Sequence, residues 1–184
     1  MPARRRPDVT SLELVGGPEA VTVGIHDYDA GWPAAFAEHR DRIRLALADV
    51  QVRIEHIGST SVPELAAKPI IDILVTVDDI TAEEDYLDAL LEAGYELRVR
   101  EPGHRLVRTP ERNVHVHVYE HDARAVDEYL LLRDRLRTDA ADRALYERTK
   151  RELMQRRWDD MNAYADAKTA VIDAIKERAR EARH

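Results

Sequence analysis

The chain has no cysteine in its 184 residues. Disulfides, thiolate nucleophiles and Cys-based zinc sites are excluded, and the composition fits a reducing compartment. No apolar run approaches the roughly 18 residues of a membrane span. The basic start, MPARRRPD, is not followed by the apolar segment of a signal peptide, so a cytoplasmic protein with no membrane partner is expected. Basic charge is not in excess: 28 Lys and Arg stand against 36 Asp and Glu, a formal net charge of −8. General nucleic-acid binding needs a basic footprint and is not expected, although a local basic pocket for phosphates is compatible with that balance. There is no internal repeat and no low-complexity linker. The phosphate-loop pattern GxxxxGK is absent, and no GxGxxG follows a strand, which argues against P-loop kinase and Rossmann folds. No Ser-His-Asp triad can be assigned from order or spacing.

What is present is 44% apolar residues, enough for a core in one domain of this length. Residues 1–18, Arg- and Pro-rich and ending in GGP, read as a flexible tail, and 19–184 as a single domain. A short strand, AVTVGI, precedes a helix that Asp29 can cap and Pro33 can open. Trp32 reads as a packing anchor for that helix. VRIEHIG is a strand ending at Gly58, VPELAAK can form one helical turn, and PIIDILVTV is an interior strand, apolar on both faces. TAEEDYLDALLEAGY reads as a helix with a Thr81–Glu84 capping box and a stop at Gly94. A hairpin turns at Pro102-Gly103, the strand NVHVHVYE alternates strictly, and from about Ala123 the chain is helical, with breaks at Thr138-Asp139 and Trp158-Asp159. The fold class is α+β: a small mixed sheet with flanking helices and a helical C-terminal region.

The chemistry concentrates in IEHIGSTSVPELAAKPIIDILV, residues 54–75. Gly58 permits close approach of a ligand to the backbone. Ser59, Thr60 and Ser61 offer hydroxyls and N–H groups to phosphate oxygens, and a helical turn near Val62 would add an anion site. Lys68 can act as a point charge on a phosphate. Asp72, inside an interior strand, is costly to bury unless it is paired or holds a metal. His115 and His117 share one face of their strand, about 7 Å apart. They can join Asp72 on one metal, with His56 as a further candidate ligand, or be ordinary half-exposed strand histidines. Arg105 and Arg108 on the hairpin strand can reach the same pocket or stay on the surface. Arg133 and Arg137, four apart on a helix, can clamp a phosphate or pair with Asp134 or Glu128.

The Gly-Ser turn ahead of an acidic strand resembles the nucleotidyltransferase-fold pattern. The whole of residues 54–75, with YDAGWPAAF, HVHV, LRDRLR and YADAKT, is more closely similar to the GrpB family, a branch of that superfamily, over about residues 21–178. The resemblance implies a metal-dependent nucleotidyltransferase acting on a nucleoside triphosphate and an unknown small acceptor. It implies Asp72 and His117 as catalytic residues, and Asp72, His115 and His117 as ligands of a divalent metal, Mg²⁺ or Mn²⁺, or zinc if the His pair dominates. Gly58, Ser59, Thr60, Ser61, Lys68, Arg105, Arg133, Arg137, Tyr164 and Lys168 are its candidate phosphate or substrate contacts. Two departures stand out. Glu64 occupies a position where the family pattern has Gly. Active superfamily members carry acids at alternate strand positions, whereas Ile70 and Leu74 flank Asp72 at that spacing. A non-catalytic nucleotide- or coenzyme-binding module therefore stays open, since related domains occur fused behind dephospho-coenzyme A kinases. A His-metal hydrolase is a third reading.

Overall fold

The computed structural model describes residues 4–19, 24–156 and 161–183, with the backbone alone for 161–165. The elements run β1 (Glu13–Leu14), α1 (Trp32–Ala46), β2 (Arg53–Ile57), β3 (Ile71–Val77), α2 (Leu87–Glu92), β4 (Glu96–Glu101), β5 (His104–Arg108), β6 (Val114–Glu120), α3 (Arg124–Thr138), α4 (Ala140–Gln155) and α5 (Met161–Glu181). The six strands form one sheet in the order β1-β4-β5-β6-β3-β2. Among the described residues only the β3–β6 pair is parallel, so the sheet is mixed. The expected α+β architecture is what the chain adopts.

Strand alternation gives the sheet two different faces. Ile71, Ile73, Val75 and Val77 of β3 join Val114, Val116 and Val118 of β6 and Val107 of β5 in the main core, under Ile43 and Leu47 of α1 and Leu87 and Leu90 of α2. Each such side chain contributes about 1.5–3 kcal/mol on full burial. The interleaved residues face the other way. There Ile57 and Leu74 pack under Val126 and Leu130 of α3. The three C-terminal helices are tied to the loop after β2 by a separate cluster of Val62, Leu65, Leu136, Tyr146 and Ile175. Asp139 caps α4 by accepting from the Asp142 N–H at 2.8 Å, so the expected break at Thr138-Asp139 is present. The break expected at Trp158-Asp159, and most of the AVTVGI strand, lie outside the described residues.

Several local expectations are corrected. The helical turn after β2 is a 3₁₀ turn over Ser59–Ser61, ahead of Val62, and VPELAAK is a loop. The segment from Thr81 is broken into a 3₁₀ turn, Glu83–Asp85, and the short α2, because the Thr81 hydroxyl donates to Asp79 at 2.6 Å and caps nothing. The α1 N-cap is Gly31, whose N–H donates to Asp29. Residues 4–18, read as part of a flexible tail over 1–18, are docked: β1 pairs with β4, Arg4 pairs with Glu120, and Asp8 pairs with the buried Arg105. Gly94, at φ 99°, ends α2 as expected, and the β4–β5 hairpin turns at Gly103.

Candidate functional site

The parallel pairing of β3 with β6 sets the site. It places Asp72 beside His115 and Leu74 beside His117, all on the face away from the main core. Nε2 of His117 lies 3.1 Å from Oδ1 of Asp72, and Nδ1 of His115 lies 3.8 Å from the same oxygen. One ligand atom from each of the three lies within 4.8 Å of the others. A carboxylate and two imidazoles at that spacing fit a divalent cation that accepts nitrogen as well as oxygen. Burial lowers the His115 pKa against the opposing pull of Asp72, so its ring is neutral at physiological pH. Gly58 closes the site from the β2 side: at φ 72°, a Cβ there would come within 2.6 Å of Oδ2 of Asp72.

A cleft of about 190 Å³ opens over Asp72 and His115 of this cluster, lined also by Ser59, Lys68, Lys150 and Lys168 among others. A second cleft, of about 230 Å³, shares Ser59, Asp72 and Lys168 with it and adds Gly58, Tyr129 and Arg133. Lys150 was missed in the sequence, where it is one cation in the charged run ERTKRELMQ. It is buried, donates to Oγ of Ser59 at 3.0 Å and to the Ala66 carbonyl at 2.7 Å, and lies 4.7 Å from the Tyr146 ring centre. Burial, and then Lys168, bring its pKa down to about 8. Lys168 is also lowered, by burial and then by Lys68. Three lysines thus face one carboxylate in a chain whose net charge is −8, a local field that favours an anion.

The remaining candidates divide. Ser59 faces the cleft with its hydroxyl held by Lys150. The Thr60 hydroxyl donates to the Ile70 carbonyl and that of Ser61 to the Gly58 carbonyl, so both tie the loop to itself rather than turning to a ligand. The three-residue turn is too short for the helix-type anion site expected there. His56 lies on the opposite face, stacked on Phe36 and donating to Thr60, and burial brings its pKa down to about 4. It is not a ligand of this cluster.

Arg105 is also on the opposite face. It pairs with Val118, whereas its neighbours Leu106 and Arg108 pair with His117 and His115. Its guanidinium binds Asp8 and Glu83 at 2.7 Å each. Arg108 shares the site face but is engaged by Glu19. Arg133 borders the second cleft and is bound by Glu55, Asp134 and the His56 carbonyl. Arg137 donates to the Ser61 carbonyl behind the loop. The side chain of Tyr164 lies outside the described residues. A second residue missed in the sequence is His104, whose Nε2 lies 3.2 Å from Nδ1 of His117 and whose Nδ1 lies 2.6 Å from Glu101.

A mixed sheet with a Gly-Ser turn ahead of an acid-bearing strand, closed by C-terminal helices, defines a protein of nucleotidyltransferase-like fold. The crystal structure of the Cid1 poly(U) polymerase with MgGTP bound matches at TM-score 0.51 and 15% identity, over 72% of this chain and 45% of that one, a likeness of fold alone. The chain belongs to the GrpB family: the family described as GrpB protein matches residues 22–178. A UPF0157 protein of Streptomyces coelicolor is 69% identical over 181 residues, 98% of this chain and 96% of that protein. The crystal structure of conserved protein GrpB from Enterococcus faecalis matches at TM-score 0.72 and 34% identity, over 84% of this chain and 96% of that one. A dephospho-CoA kinase of Mycobacterium tuberculosis is 37% identical over 70 residues, 36% of this chain and 17% of the kinase.

Proposed function

We propose that the chain is a metal-dependent nucleotidyltransferase that moves a nucleotidyl group from a nucleoside triphosphate to a small acceptor, in the cytoplasm. The observation that carries the reading is one cleft lined by Lys68, Lys150 and Lys168 together with Asp72 and His115, two members of the Asp72–His115–His117 cluster. The lysines would offset the charge of the phosphates, Ser59 would offer its hydroxyl to them, and Gly58 lets the Asp72 carboxylate sit against the backbone. Asp72, His115 and His117 would hold the divalent metal, Mg²⁺ or Mn²⁺ or, with two nitrogen donors, zinc. When bound, such an ion polarises phosphoryl oxygens and offsets charge on the leaving pyrophosphate. The acceptor oxygen would bond to the α-phosphorus, the bond from that phosphorus to the β-phosphate oxygen would break, and the acceptor proton would leave to water, since the lone pairs of both imidazoles would be committed to the metal. The test is Asp72→Asn: metal-dependent release of pyrophosphate should disappear while the fold persists, and unchanged release would remove Asp72 from the role.

One observation favours a second reading, a nucleotide- or coenzyme-binding module without chemistry. Asp72 is the sole carboxylate of its strand: Ile70 lines the cleft and Leu74 packs under α3. Nucleotide that binds and is recovered unchanged, with every acceptor tried, would select this reading.

A further inference from the structure

The cleft over Asp72 does not end at the lysines. The second cleft meets it at Ser59, Asp72, Tyr146 and Lys168 and leaves Lys68 and Lys150 behind. That second cleft shares Tyr129, Leu132 and Ile172 with a third, of about 560 Å³, which adds Tyr119, Arg124, Glu128, Thr169 and Lys176. The shared walls make one groove, from the lysines past Asp72 and out between α3 and α5. Its sides are two helical stripes. Ala125, Tyr129, Leu132 and Leu136 recur three or four residues apart on α3, and Lys168, Ile172 and Lys176 four apart on α5. Tyr129 stands where the groove leaves the cluster: its ring centre lies 5.9 Å from that of His117 and 6.0 Å from that of Tyr119.

Charge changes along the groove. The first cleft carries Lys68, Lys150 and Lys168. Beyond Lys168 the cations of the wall are paired or solvated: Arg133 is held by Glu55 and Asp134, Lys176 by Glu128, and the Arg124 side chain is 89% exposed. The acids are answered in the same way, since Glu128 also binds Arg180 and Asp173 is exposed. Among the described residues, neither a phosphate nor a polycation meets an unanswered partner there. What is left to a ligand is the aromatic and aliphatic wall of Tyr129, Leu132, Leu136 and Ile172. In-line displacement decides what part of the reaction fills it. The attacking oxygen and the leaving group lie on opposite sides of the α-phosphorus. Pyrophosphate belongs on the lysine side, so the attacking oxygen comes from the side of Tyr129.

We propose that the groove between α3 and α5 is the acceptor site, and that the acceptor is an uncharged alcohol or phenol with an apolar, ring-bearing body. A polyamino sugar, a phosphorylated compound and a nucleic-acid end all lack a matching wall. The inference rests on the transferase reading and names the acceptor class that the reading leaves open.

The test uses the full chain and 2-naphthol, a neutral aromatic alcohol whose own fluorescence reports binding. Ile172→Trp fills the groove where the second and third clefts meet. Thr169→Trp covers the third cleft from an exposed position and serves if the first variant fails to fold. The native chain should bind 2-naphthol, and either variant should weaken that binding about 10-fold or more. No binding in the native chain, or unchanged affinity in the folded variants, would overturn the proposal. The polyamine spermine should bind more weakly than 2-naphthol in calorimetric titration; tighter binding would overturn the acceptor class. The α,β-methylene analogues of ATP, CTP, GTP and UTP with Mn²⁺ separate this site from that of the nucleotide. Their thermal shift and that of 2-naphthol should add in the native chain. Displacement of 2-naphthol by an analogue would put the nucleoside in the groove and overturn the proposal. Binding of 2-naphthol with these dependences, but no shift with any analogue, would keep the groove as a site for an apolar alcohol while removing the transferase reading.

Discussion

Gly58 and Asp72 occupy adjoining strand ends so closely that no side chain fits between them. A Cβ on Gly58 would lie 2.6 Å from Oδ2 of Asp72, and the glycine has φ 72°. Both facts work against any other residue, one through steric overlap with a charged group and one through the backbone. Gly58→Ala should therefore cost about 2 kcal/mol of stability and displace the Asp72 carboxylate. Chemical unfolding reads the first effect and Mn²⁺ affinity the second; an alanine variant with native values in both would show that this contact constrains nothing.

Lys150 predicts a pH dependence. Its pKa is brought down to about 8 in the fold from 10.5. Between those values the unfolded chain holds the proton more firmly than the native one, so this group makes stability rise with pH across that window. A bound phosphate favours the ammonium form and reverses the preference. Affinity for inorganic triphosphate should be high below about pH 8 and fall above it. Lys150→Met should lower affinity at pH 7 roughly 10-fold or more and shrink that step, leaving the part due to Lys168. Calorimetric titration at pH 7 and pH 9 separates the cases; an identical pH profile in the variant would contradict the assignment.

Glu64 has φ 67°, in the left-handed region. This is a backbone conformation that glycine adopts without strain and a glutamate does not. The carboxylate pairs with Arg143 at 3.2 Å but is largely exposed, so the pair contributes little. Glu64→Gly should raise stability by about 1 kcal/mol, measured as a shift of the denaturation midpoint with an unchanged slope. A loss of stability would mean that the ion pair outweighs the backbone strain.

Arg105 separates a buried tie from a substrate contact. It joins Asp8, Glu83 and the sheet on the face away from the cleft. Arg105→Met leaves Asp8 with backbone N–H donors alone, while Glu83 keeps Arg100, and should cost about 3 kcal/mol. Triphosphate affinity, measured below the unfolding transition, should stay native. A selective loss of affinity would return Arg105 to the site.

The residues explain why some of this was legible and some was not. The shared face of His115 and His117 was legible because β6 alternates strictly, whereas β3 is apolar on both faces and Asp72 is brought beside them by the parallel pairing with β6. Arg105 misled because HRLVR carries one aliphatic and one basic residue on each face, so alternation does not choose between them. The choice is made by pairing with β6, across the turn at 109–113. The same ambiguity hid His104, whose place beside His117 follows from the stack on Tyr119. Lys150 had no local signal at all. Its burial comes from α4 crossing the loop between β2 and β3, a tertiary contact anchored by Val62, Leu65 and Tyr146. The tail was misread because the partners of Arg4, Arg5 and Asp8 lie more than 70 residues away.

Binding of a nucleotide together with a metal in the cleft over Asp72 can be measured directly. Thermal unfolding with ATP, CTP, GTP or UTP, each with and without Mg²⁺ or Mn²⁺, tests it in the native chain and in Asp72→Asn. A nucleotide at about 100-fold over its dissociation constant adds roughly 2.7 kcal/mol, a shift that is easily seen. The expected shift requires the metal, is selective among the bases and is lost in Asp72→Asn. No shift with any nucleotide, or a shift that is the same in the variant, would contradict it.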